Sequence, residues 1–163
     1  MEQTLQSIEQ VITPAELLRH WRGHRDLTRR VIAAFPEEQL FSFSIGGMRT
    51  FSAMIMELLG IGAPGLREIV SGNQGVLDEH TDHQNKKETV LQLWDAASDE
   101  IDSLLNKIPI ENFHESVLLF GMYKGTVMSS ILYFIDNEIH HRAQGYVYLR
   151  ALGIEPPPFW DRA

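Results

Sequence analysis

Between residues 126 and 152 the chain gathers side chains able to do chemistry on one side of a long apolar stretch. At about 100° per residue, Val127, Ile131, Phe134, Gly145, Leu149 and Leu152 mark one helical arc. His141 and Glu138 fall inside that arc, Asn137 lies one turn before His141, and Gln144 and Tyr148 follow along the same side. Polar groups turned inward cost free energy unless each finds a hydrogen bond or a metal. Asn137 and His141 stand at i, i+4 and can reach one point. Glu138-x-x-His141 has the i, i+3 spacing that helix bundles use around metals. Two readings stay open: an intrabundle metal site completed from another helix, or a hydrogen-bonded network that only fixes packing.

Other segments offer partners. Glu57 sits at the edge of an apolar arc containing Met54 and Ile61, and would add carboxylate oxygen to imidazole nitrogen. That mixture suits Zn, Ni, Mn or Fe; a flank glutamate in water is the alternative. His20-x-x-x-His24 is either a chelate or, as we prefer, one core and one surface histidine. His140, His80 and His83 read as solvent-facing, and His114 stands alone. Arg19, Arg22, Arg25, Arg29 and Arg30 form either an anion-binding patch or, preferably, a solvated face. There is no Gly-rich phosphate loop and no nucleophile elbow.

Four long apolar-striped segments position these residues. The first opens at Thr13-Pro14-Ala15-Glu16, a capping box with proline where its missing N–H is harmless, and ends at Pro36. The second spans about residues 50–70, with Pro64 expected to kink or split it. A polar crossover over 71–84 leads to a third, capped by Asn85 and Glu88 and running to Ile108-Pro109. Residues 110–125 read as irregular, with 117–120 either extended or a helical turn. The fourth runs from about Thr126 to Leu152, stopped by Gly153 and Pro156-Pro157-Pro158. The pattern is all-α, a four-helix bundle, expected as a single domain over 1–163.

Composition narrows the function. No cysteine is present, which removes disulfides, zinc ribbons and a protein thiol nucleophile. Net charge is 14 − 22 = −8, which argues against a nucleic-acid partner. The opening MEQTLQSIEQ lacks the cationic start and apolar core of a signal peptide, and no apolar run is long enough to span a membrane. The expectation is a cytoplasmic protein.

Asn137-Glu138-Ile139-His140-His141-Arg142-Ala143-Gln144, followed by Tyr148-Leu149-Arg150-Ala151-Leu152-Gly153-Ile154-Glu155-Pro156-Pro157, resembles the last helix of the DinB-like (damage-inducible) superfamily. Gly47-Met48-Arg49-Thr50-Phe51 resembles the start of its second helix. The resemblance implies an up-down-down-up bundle, often a homodimer, holding a divalent metal through one second-helix histidine and two fourth-helix groups four residues apart. It also implies metal-dependent chemistry on low-molecular-weight thiols, such as S-transfer. His141 matches the last ligand position, whereas Asn137 and Glu57 stand where the pattern has histidine. The implied ligands are therefore His141, Glu57 and Asn137, with Glu138 or His24 helping, and Gln144, Tyr148 and Arg49 orienting substrate. One class of function is a metal-dependent transferase or hydrolase. The other is a non-catalytic dimeric bundle acting in a stress or DNA-damage response, its site without metal.

Overall fold

The computed structural model describes residues 11–162; the expectation for the N-terminal decapeptide lies outside them. Five helices and one hairpin follow in order: α1 (Pro14–Ala34), α2 (Glu37–Ser42), α3 (Phe51–Ser71), α4 (Lys87–Leu105), a 3-10 turn (Ile110–His114), β1 (Ser116–Leu119), β2 (Tyr123–Thr126) and α5 (Val127–Ala151). The long helices α1, α3, α4 and α5 form the bundle. Each of α1 and α3 packs against both α4 and α5.

Helix directions follow from paired residues. Arg22, Arg25 and Arg29 meet Asp102, Ser98 and Asp95 in turn, so α1 and α4 are antiparallel. Trp21 meets Glu138 and Thr28 meets Arg142, so α1 and α5 run together. Glu57 meets His141, while Gly65 abuts Phe134 and Gly145 abuts Phe51, so α3 opposes α5. The result is the expected up-down-down-up order.

Local signals built several ends as anticipated. Thr13 Oγ1 accepts from the Glu16 N–H at 3.2 Å while the Glu16 carboxylate accepts from the Thr13 N–H at 2.8 Å. Gly153 takes φ +75°, where a side chain would be strained. Elsewhere the outcome differs. Pro64 does not split α3, because its flanks Ile61, Ala63 and Leu66 are locked in the core and outweigh one lost hydrogen bond. Asn85 does not cap α4; it sits at φ +49° before the helix, and the Lys87 N–H is taken by Glu37 of α2 at 3.2 Å. Residues 37–42, beyond Pro36, form the short helix α2. Within 110–125, read as irregular with 117–120 extended or a helical turn, residues 117–119 are extended, and 116–119 pair with 123–126 as an antiparallel hairpin, Val117 opposite Gly125 and Leu119 opposite Tyr123.

The apolar core divides in two. One cluster surrounds Trp21, Ile61, Ile101 and Phe134, and the other surrounds Phe35, Phe51, Trp94 and Tyr148. Between them the helices contribute His24, Arg25, Thr28, Ser98, Asn137, Glu138, His141 and Arg142, all buried. A polar layer thus crosses the middle of the bundle. Among the described residues no helix is long and apolar enough to cross a membrane.

Candidate functional site

The polar layer separates into two networks on neighbouring faces of α5. The first faces α1. Glu138 Oε1 accepts from Thr28 Oγ1 at 2.6 Å, and Oε2 from the Trp21 indole N–H at 3.2 Å. Arg25 and Arg142 flank the carboxylate at 3.9 and 3.8 Å. Arg25 donates to Ser98 Oγ and the Trp94 carbonyl, and its guanidinium lies 3.5 Å over the Trp94 ring. Burial pulls Arg25 down to about 10, with Glu138 opposing, so it stays charged near neutrality. Arg142 Nη2 lies 2.9 Å from His24 Nδ1, and His24 Nε2 lies 3.3 Å from His20 Nε2. Burial, then the charges of Arg142, His20 and Arg162, push His24 down to about 3. The imidazole is neutral in the fold.

The second network faces α3. Close approach is set by glycine: a Cβ on Gly65 would lie 2.5 Å from the Phe134 ring, and one on Gly145 would lie 2.5 Å from the Phe51 ring. Between these two contacts Glu57 meets α5. Its Oε1 accepts from Asn137 Nδ2 and His141 Nε2, each at 3.1 Å, and its Oε2 accepts from Arg49 Nη2 at 2.5 Å. Burial opposes charge on Glu57, but the hydrogen bonds from Arg49, Asn137 and His141 outweigh it and hold the carboxyl below the ordinary glutamate value. An ionised carboxylate only accepts, so His141 carries its proton on Nε2. Its Nδ1 is buried without a partner. Tyr148 is fully buried and its hydroxyl donates to the Arg49 carbonyl at 2.8 Å, which fixes the backbone carrying Arg49.

An open cleft of about 460 Å³ adjoins this second network, lined by Arg49, Glu57, Tyr133, Asp136, Asn137, His140 and His141. The three residues expected at the ligand positions do come together. The two helpers do not: Glu138 and His24 are turned toward α1 and engaged there. Nor does Tyr148 reach substrate, since its hydroxyl is spent on the backbone inside the core. Gln144 is half-buried and bonds His140 Nε2 at 2.9 Å outside the lining. His83 is half-buried, stacked on Phe41 at 4.7 Å, where solvent exposure was expected. Apart from Arg25, the arginines of α1 lie on the solvated face that was preferred, with Arg19 and Arg29 exposed and Arg22 and Arg30 partly so. Arg22, Arg29 and Arg30 pair with Asp102, Asp95 and Asp161, and Arg25 is in the core.

The donors present do not fit a divalent metal. Among the three converging residues only His141 is an imidazole, with His140 of the lining bonded to Gln144 instead; Asn137 is a neutral amide, and both Glu57 oxygens are engaged by three donors. One of these is a guanidinium that already supplies positive charge. Among the described residues no group of three His, Cys, Asp or Glu side chains gathers to hold an ion. Sequence reasoning missed Tyr133 and Asp136 as lining residues. Their place beside Asn137 on α5 was the available signal, and His140, read as solvent-facing, lines the cleft as well.

Comparison with known proteins places this geometry. Residues 119–162, which carry the end of β1, the turn, β2 and all of α5, match the profile of the DinB family. Among solved structures, a DinB-like protein from Bacillus cereus ATCC 10987 is similar with a TM-score of 0.72 at 14% identity, covering 88% of this chain and 95% of that one. A DinB-like protein from Bacillus subtilis is similar with a TM-score of 0.72 at 17% identity, covering 90% and 99%. No curated protein sequence matches. The family pattern thus covers the C-terminal segment, and the solved structures share the fold over most of the chain.

Proposed function

Starting from a DinB-like bundle with a DinB-family C-terminal segment, we propose that this chain binds a small molecule carrying an anionic or carbonyl group in the α3–α5 cleft, without a resident metal ion. The observation that carries this reading is the convergence of Arg49, Asn137 and His141 on the Glu57 carboxylate at the wall of an open cleft. Glu57, Asn137 and His141 form a preset inner wall. Arg49 is half-exposed and spends one N–H on Glu57, which leaves further guanidinium donors for a ligand's oxygens. In a lining that also carries Glu57 and Asp136, recognition rests on the directed N–H donors of Arg49 and not on net positive charge.

The second reading is a metal-dependent transferase or hydrolase acting on a low-molecular-weight thiol. One observation favours it: the 3.1 Å between Glu57 Oε1 and His141 Nε2 matches two ligands each about 2.1 Å from one ion. It requires Arg49 to leave Glu57 and His141 to lose its Nε2 proton. Elemental analysis of untagged protein before and after exposure to Zn, Ni or Mn separates the two. The proposal expects stoichiometry near zero and a melting temperature indifferent to chelator. One ion per chain, with chelator and His141→Ala causing equal and non-additive losses of stability, would transfer the argument to the metal enzyme.

A further inference from the structure

A second concavity of about 400 Å³ opens beneath the hairpin, walled by Ile61 of α3, Phe120 and Met122 of the turn, Tyr123 of β2, and Tyr133 and Phe134 of α5. Its surface is chiefly apolar. Met122 and Tyr123 remain 58% and 51% exposed at its rim, a place where large apolar side chains gain nothing from the fold itself.

The hairpin is fastened to the bundle by a polar clamp. The buried Glu68 carboxylate accepts from the Phe120 N–H at 3.0 Å and the Gly75 N–H at 3.1 Å, tying turn and crossover to α3. Phe120 itself is kept at φ +54°, a conformation a bulky residue adopts only when its surroundings impose it. The concavity is therefore built into the fold rather than left by loose packing.

Tyr133 lines this concavity and also lines the α3–α5 cleft. Its phenol is raised by burial and then by the Glu57 charge, which agrees with its position facing that carboxylate. We propose that the two concavities are one bipartite site: an oxygen-bearing head binds at Arg49 and an apolar arm lies under the hairpin, with Tyr133 between them. The ligand class is then an amphipathic small molecule, a carboxylate or similar head on an alkyl or aryl arm. The head-group part rests on the reading given under Proposed function; the arm rests on the hairpin cavity alone.

Full-length protein titrated with hexanoate, octanoate and decanoate by calorimetry tests both parts. The arm predicts affinity rising about fourfold per added methylene while the chain remains under the hairpin. Met122→Glu, on the exposed rim where folding is not at stake, should weaken decanoate at least tenfold and hexanoate little. Arg49→Ala should weaken all three by one common factor. Response to Arg49→Ala without chain-length dependence overturns the arm and spares the head-group site. Chain-length dependence indifferent to Arg49→Ala overturns the bipartite site and the head-group reading with it.

Discussion

The two halves of the polar layer differ in what covers them more than in composition. Glu138 and Arg142 face α1, while Asn137 and His141, one residue behind each, face α3; both pairs stand at i, i+4. On the α1 side, Glu138, Arg25 and Arg142 are 2%, 2% and 5% exposed. The C-terminal residues close that side further. Asp161 pairs with Arg30, the Arg162 guanidinium lies 3.1 Å from His24 Nε2, and the Arg162 carbonyl sits so near Gly23 that a Cβ there would be 2.7 Å away. On the α3 side Asn137 and His141 are buried too, but the cleft reaches Glu57, whose side chain is 15% exposed. Inward polar spacing on a helix therefore does not mark a binding site by itself. Access does.

The comparison is sharpest where the largest effect is expected. Glu138→Ala leaves two buried guanidinium groups without their counter-charge and the Trp21 indole and Thr28 hydroxyl without this acceptor, and should cost about 3–5 kcal/mol, a fall in melting temperature of roughly 10 °C. Thermal or urea unfolding measures it. A loss under about 1 kcal/mol would mean the sealed network is no more structural than the open one.

His24 gives the next effect, through pH. It is neutral in the fold down to about 3, whereas the unfolded chain takes up a proton below the ordinary histidine value near 6.5. The unfolded state then binds more protons, so stability is full above about pH 6.5 and falls as the pH is lowered toward 3, by no more than about 1.4 kcal/mol per unit. Urea unfolding between about pH 6.5 and 5 isolates this slope from carboxylate titration. His24→Gln should flatten it; an unchanged slope would assign it elsewhere.

Glu57→Gln should be the mildest for stability. Water reaches the cleft to replace what is lost, so the cost is expected at about 1 kcal/mol, well below that of Glu138→Ala. A cost equal to that of Glu138→Ala would erase the distinction between the sealed and open networks.

Much of the architecture is legible in single residues. The Thr13–Glu16 box, Thr126 before α5 and Gly153 after it act on their immediate neighbours, and each appears where local chemistry puts it. The misreadings fall where a distant group intervened. Glu37 supplies the bond that Asn85 was expected to make, and Glu68 holds a hairpin whose residues carry no clear alternation. The convergence of Glu57, Asn137 and His141 was anticipated from face and spacing, but the Arg49 guanidinium among them was expected to meet substrate instead.

Periodicity determined the four long helices and the inward set on α5, because angle around a helix depends only on position along it. Whether Glu138 would help hold an ion or be consumed by Trp21, Thr28 and two arginines was decided when α1 and α3 took opposite sides of α5. Pairing between side chains more than a hundred residues apart depends on which helices become neighbours, and no local spacing encodes that.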